Sequence, residues 1–228
     1  MDGEIRTGRI GGPLLAAGGV GFFLAGALHP QPIGATTFHD AMVTMLSNPR
    51  WPAAHWTALV TGMVVTWAVW LLVDGGWVRG SIAALAGARL AILATLFMSV
   101  QWAVEIAARG GLDAYAQGQV VPMAMLVEAM QGVGWPALGV GFALLALCVP
   151  ASAPRWVAIL GAVGAVAIGL GGLLTEAFHI PQAGVLFLGG HLLALWMVWA
   201  GVRATRARST IGAVIPRTAT EVEVGISS

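Results

Sequence analysis

Six stretches of roughly twenty residues, almost free of charge, dominate this chain: Ile10–Leu28, His55–Val73, Leu90–Ala108, Leu126–Val149, Trp156–Leu174 and Gly184–Val202. At about 1.5 Å of rise per residue, each is long enough to cross about 30 Å of hydrocarbon. Lipid offers no partner to a backbone N–H or C=O, so uncharged apolar stretches of this length are read as helices that satisfy their own backbone. An all-α fold follows: a polytopic integral membrane protein built as a six-transmembrane-helix bundle. Composition agrees, with 58% hydrophobic and 9% charged residues and a mean hydropathy of +0.84. A net charge of +1 and a single cysteine, Cys148, exclude a nucleic-acid binder with a basic face and a disulfide scaffold. One transmembrane domain over 1–208 accounts for the apolar sequence, and a polar tail at 209–228 is expected to be disordered.

Breakers separate the spans: His29-Pro30-Gln31-Pro32, Asp74-Gly75-Gly76, Arg109-Gly110-Gly111, Pro150 to Pro154, and Ile180-Pro181. Between the first two spans, Thr37 is placed to cap a short helix. Asp40 reaches back from its third position, and Phe38, Met42, Met45 and Leu46 form an apolar stripe. The chain has no lysine, and Arg6, Arg9, Arg79, Arg89, Arg155, Arg203, Arg206, Arg208 and Arg217 fall on one side of the spans. Only Arg50 and Arg109 fall on the other. The positive-inside rule makes the richer side cytoplasmic, with both termini inside and the loops 29–54, 109–125 and 175–184 outside. Gly161, Ala165, Gly169 and Gly172, and Gly11, Gly18, Gly19 and Gly26, form small-residue faces. Such faces suit close helix packing or self-association into a homo-oligomer.

With that direction, His29, His39, His55, His179 and His191 all map to the extracytoplasmic side, as do Asp40, Glu105, Asp113, Glu128 and Glu176. Ionisable groups bordering a span are costly and therefore functional candidates. Met98, Gln101 and Glu105 share one face of the third span, and Glu128, Gln131 and Trp135 one face of the fourth. Glu176 and His179 are three residues apart, the Glu-x-x-His spacing that di-iron bundles use for ligands. His191 falls about two turns into its span and His55 about one turn into its own.

Imidazoles and carboxylates at a partly dry boundary form a ligand set for zinc, iron or copper. The expected metal ligands are His55, Glu176, His179 and His191, with Glu105 and Glu128 as further ligands or as acceptors orienting the imidazole N–H groups. Met98, Met123, Met125 and Met130 lie on the same side and would suit copper(I). A b-type haem between His55 and His191, or between His29 and His179, is the variant of this reading. Redox chemistry on a lipophilic substrate would follow from either.

Three other readings stand beside it. One is a cofactor-free acid-catalysed enzyme on an isoprenoid or lipid, with Glu105, Glu128 or Glu176 as proton donor. Another is a proton-coupled carrier using Glu105, Glu128 and His191. The third is an assembly subunit held by its glycine faces. Membrane lipids are partners in all of them. The bland readings are that Asp40 only caps a helix, and that Glu105 and Glu128 pair with Arg109 and Arg50.

Asn48-Pro49-Arg50-Trp51-Pro52-Ala53-Ala54-His55, His29-Pro30 and Pro154-Arg155-Trp156 resemble strings found in a group of small six-helix membrane proteins common in actinobacteria. The resemblance covers most of residues 10–203. It implies a six-helix hairpin architecture in a bacterial cytoplasmic membrane, and it implies no activity and no catalytic residues.

Overall fold

The computed structural model describes residues 2–31, 35–78, 81–148 and 154–213, with side chains from Ile10 to Arg206. Pro32, Arg79, Pro150–Ala153 and the tail from 214 onward, all used in the sequence reading, lie outside the described residues. Long helices run over Asp2–Leu28 (α1), Trp51–Asp74 (α3), Ile82–Ala108 (α4), Pro122–Leu147 (α6), Arg155–Gly172 (α7) and Gly189–Ala213 (α8). Two short ones, Phe38–Ser47 (α2) and Leu112–Ala116 (α5), sit in the connections. Among the described residues there is no strand. Six helical stretches are long and apolar enough to cross a membrane, which makes this a multi-pass membrane protein.

Several bounds differ from the hydropathy limits for physical reasons. Arg89 interrupts the apolar run, yet α4 begins at Ile82, where the Ser81 hydroxyl accepts from the Ala84 N–H as an N-cap. Pro52 in the first turn of α3 suits a helix start at Trp51, four residues before His55. Helix α8 runs on to Ala213, past the last apolar residues of its span.

The long helices close into a ring: α1 packs on α3, α3 on α4, α4 on α6, α6 on α7, α7 on α8, and α8 back on α1. An even number of spans returns the chain to the end from which it started. The histidines lie toward one end of the bundle, and among the residues with described side chains Arg89, Arg155, Arg203 and Arg206 lie toward the other. The centre of the bundle is filled by Leu15, Val65, Met98, Leu138, Phe142 and Trp196, each fully buried. The small-residue faces are used within the chain. Gly139 and Gly169 bring α6 and α7 into backbone contact, Gly161 receives the Trp196 indole, and Gly172 receives Trp135. On the perimeter Trp56, Trp67, Trp70 and Trp156 stay more than half exposed, as lipid-facing and interfacial aromatics do.

The histidine end is less regular. Thr37 caps α2, its hydroxyl oxygen accepting from the Asp40 N–H at 3.1 Å and its O–H donating to the Asp40 carboxylate at 2.7 Å. Met42, Met45 and Leu46 then bury against Trp51, Leu112 and Tyr115, as the stripe anticipates. Helix α7 ends in a π turn, Leu173–Ala177, followed by a tight helical segment, Pro181–Leu188, that leads into α8.

Candidate functional site

His55 lies one turn into α3, and its Nδ1 sits 2.9 Å from the Trp51 carbonyl oxygen. A carbonyl only accepts, so Nδ1 carries a proton and donates it. That bond fixes the ring and turns Nε2 toward α4, where it meets the Glu105 Oε2 at 2.8 Å. The other oxygen, Oε1, accepts from the Gln101 amide at 2.8 Å and, across to α6, from the Gln131 amide at 3.1 Å. All four side chains are buried, His55 at 3% and Glu105 at 4% exposure. Three helices thus converge on one carboxyl.

The proton count of this group is informative. Neither His55 Nε2 nor Glu105 Oε2 can make a 2.8 Å bond without a hydrogen between them, and Nδ1 already uses its own. The shared proton resides on nitrogen, as imidazolium and carboxylate, or on oxygen, as imidazole and carboxylic acid, with the same heavy-atom geometry. In a low-dielectric interior either form is held strongly, whereas removing one partner leaves the other stranded.

Aromatic rings enclose the imidazole. Trp51 lies 3.7 Å from it between centroids and His29 5.3 Å from it. His29 follows the last turn of α1, outside the spans, and its Nδ1 donates to the Pro30 carbonyl at 3.0 Å. Burial pushes the His29 imidazole down from 6.5 to about 4, helped by the charge of His55 and opposed by Glu105 and the bond to Pro30. A narrow crevice lined by Met42, Leu46, Trp51, Tyr115, Val127 and Glu128 reaches Glu105 from the histidine end.

The other candidates are placed elsewhere. His191 packs edge-on against Phe23, 4.9 Å between centroids, and beside Gly26 of α1. It lies on α8 and His55 on α3, the two opposite neighbours of α1 in the ring. Glu176 is buried in the π turn, within electrostatic reach of Glu105 and Glu128. His179 lies beyond the turn with a φ of 55°, exposed, and stacks on Phe38 at 4.3 Å. The π turn ends the helix between them, so Glu176 and His179 do not share a face despite their spacing. Glu128 lines the crevice, half-buried. Met98 is a core residue and Met125 is 60% exposed. Glu105 pairs with His55 rather than with Arg109. Among the described residues, no three or more His, Cys, Asp or Glu gather as a metal-holding group.

Sequence reasoning put Gln101 and Gln131 on the right faces without assigning them a task. Their task is to hold Glu105. The stacking of Trp51 on His55 follows from their spacing, since residues four apart on one helix are neighbours.

Fold and site together define a multi-pass helical membrane protein carrying a buried imidazole–carboxyl pair near one end of its bundle. No family model matches the chain, and no curated protein or solved structure matches it.

Proposed function

We propose that the His55–Glu105 pair is a proton-exchanging acid/base centre that serves a lipophilic substrate, in a protein of a bacterial cytoplasmic membrane with both termini inside. The observation that carries this reading is the 2.8 Å contact between two buried titratable atoms whose other hydrogen bonds are already made. A proton poised between nitrogen and oxygen is what general acid–base catalysis requires. The crevice at Glu105 is lined mostly by apolar side chains, the surroundings that an isoprenoid- or lipid-like molecule would meet, but at about 10 Å³ it has room only for a water-sized group, so such a substrate reaches the pair only if the lining moves apart. His55 is four residues into α3, about 6 Å along its axis. That depth favours acid catalysis over carrier coupling, for which sites near the midplane are usual. The arginine asymmetry supports the orientation.

A transition metal or b-type haem is the second reading, favoured by two imidazoles, His29 and His55, 5.3 Å apart beside a carboxyl. In it His55 Nε2 and Glu105 Oε2 are ligands, and Gln101 and Gln131 steady the carboxylate. Two measurements on the purified full chain decide. Nitrogen-15 NMR of histidine-labelled protein should show a His55 Nε2 signal with a proton shared toward oxygen, lost in E105Q. An ordinary, unshared His55 signal would overturn the acid/base reading. About one equivalent of iron, copper or zinc that disappears in H55A would put the metal reading in its place.

A further inference from the structure

A second buried carboxyl lies across α6 from the His55–Glu105 pair. Glu176 is 7% exposed and its neighbour Thr175 9%. Both sit in the π turn Leu173–Ala177, a widened turn of the kind that recurs at functional sites. Glu176 Oε2, Thr175 Oγ1, Trp135 Nε1, Gln131 Oε1 and Gln101 Oε1 are all buried with no hydrogen-bond partner in the protein. Buried polar atoms left without partners are expensive, and five on three adjoining helices call for a shared explanation.

Their positions trace a seam. Gln131 reaches α4 with its amide on Glu105, while the next residue, Gly132, approaches Ala177 of the π turn. One turn further along α6, Trp135 packs into Gly172 at the start of that turn. The seam therefore runs from Glu105 over Gln131 and Trp135 to Thr175 and Glu176. Its inventory is mixed: oxygens that accept, a hydroxyl that does either, and an indole N–H that only donates. A cation would satisfy the oxygens and be repelled by the N–H, and an anion would do the reverse. Water serves both.

We propose that this seam is a hydrated proton path in which bound water joins Glu105 to Glu176, making Glu176 the end of the path remote from His55. The inference rests on reading the His55–Glu105 pair as a proton-exchanging centre. The transfer balances: the bond from the shared proton to the pair breaks, a water takes that proton and releases another, and an O–H bond forms on the Glu176 carboxylate. Water is left unchanged and the negative charge moves from Glu176 to the pair. The titratable groups that act on Glu176 are Glu105 of α4 and Glu128 of α6, and Glu176 in turn acts on Tyr115 of α5. The segment Pro181–Leu188 packed against the turn contributes none.

Infrared difference spectra of the full chain in lipid nanodiscs, recorded across a pH step in ordinary and oxygen-18 water, test the path. We expect water O–H bands that move on oxygen-18 exchange and are lost in both E176Q and T175V, with the shared-proton NMR signal of His55 intact in each. Absence of isotope-sensitive bands in the wild type, a measurement that needs no variant, overturns the path. So does their persistence in both variants. If in either case the His55 signal is present, the acid/base reading stands without the path. If that signal is absent from the wild type, both fall.

Discussion

The indole of Trp51 and the imidazole of His55, one turn apart on α3, overlap at 3.7 Å between centroids with 31° between their planes. The same residue's carbonyl accepts from His55 Nδ1, so Trp51 fixes both the position and the tautomer of the ring that faces Glu105. The backbone part of this role survives any substitution, and the ring part does not. The Trp51 indole N–H has no partner in the protein, so W51F gives up no hydrogen bond there. We expect W51F to melt close to the wild type in detergent. W51A should lose about 3–5 kcal/mol, the usual cost of emptying a buried aromatic site, and should broaden the His55 NMR signal.

Glu105 separates geometry from proton chemistry. In E105Q the amide oxygen still accepts from Gln101 and Gln131, and the amide N–H₂ donates to His55 Nε2, so every hydrogen bond is kept while no proton is shared. E105A instead strands three buried partners. Thermal unfolding should show E105Q near the wild type and E105A destabilised by about 3–5 kcal/mol. Comparable melting of the two variants would mean that the network contributes little to the fold.

The six spans are legible in the sequence because lipid leaves the backbone no alternative to internal hydrogen bonding, so hydropathy and length suffice. The α2 cap and stripe are legible too, since Thr37 and Asp40 interact within one turn. The His55–Glu105 pair is only half legible. Each residue can be placed on a helix face, but which faces meet depends on the order of helices around the ring, and that order is set by tertiary packing. The same limit applies to His191, whose depth resembles that of His55 while α1 stands between their helices. The π turn is invisible to a pattern with a fixed period, so the inward Glu176 and outward His179 read as one pair.

Glycines of similar appearance differ in what they allow. A Cβ on Gly172 would run into the Trp135 indole, whereas one on Gly132 would meet the Ala177 Cβ at 3.4 Å, an ordinary contact. We expect G172A to lose about 1–3 kcal/mol by overpacking. G132A should be neutral or gain up to about 1 kcal/mol from reduced backbone freedom. Melting curves of the two variants side by side test the assignment of this face to packing inside the chain.

Thr66 and Thr95 join α3 to α4 with their hydroxyls 2.8 Å apart, and each hydroxyl is also within reach of a carbonyl on its own helix, Gly62 and Ala91. Those local bonds remain available when the partner hydroxyl is lost, so the coupling between the helices should be small. A double-mutant cycle with T66V and T95V should return about 0.6 kcal/mol, typical of hydrogen bonds between membrane helices. A value several times larger would show that the local bonds do not compensate.

His29 gives the fold a defined pH dependence. Its imidazole titrates at about 4 in the folded protein against 6.5 ordinarily, because burial and the neighbouring His55 both oppose its positive charge. The unfolded chain therefore binds this proton first as pH falls. The contribution of neutral His29 to stability is complete above pH 6.5 and is lost progressively as pH falls toward about 4, below which no further loss arises from this group. Glu105 faces the same ring and partly offsets the effect. H29Q cannot take up the proton, so its melting temperature should fall less steeply over that window than the wild type's. Parallel slopes for the two proteins would show that His29 is as well hydrated in the folded state as in the unfolded one, and would remove burial as the cause of its shift.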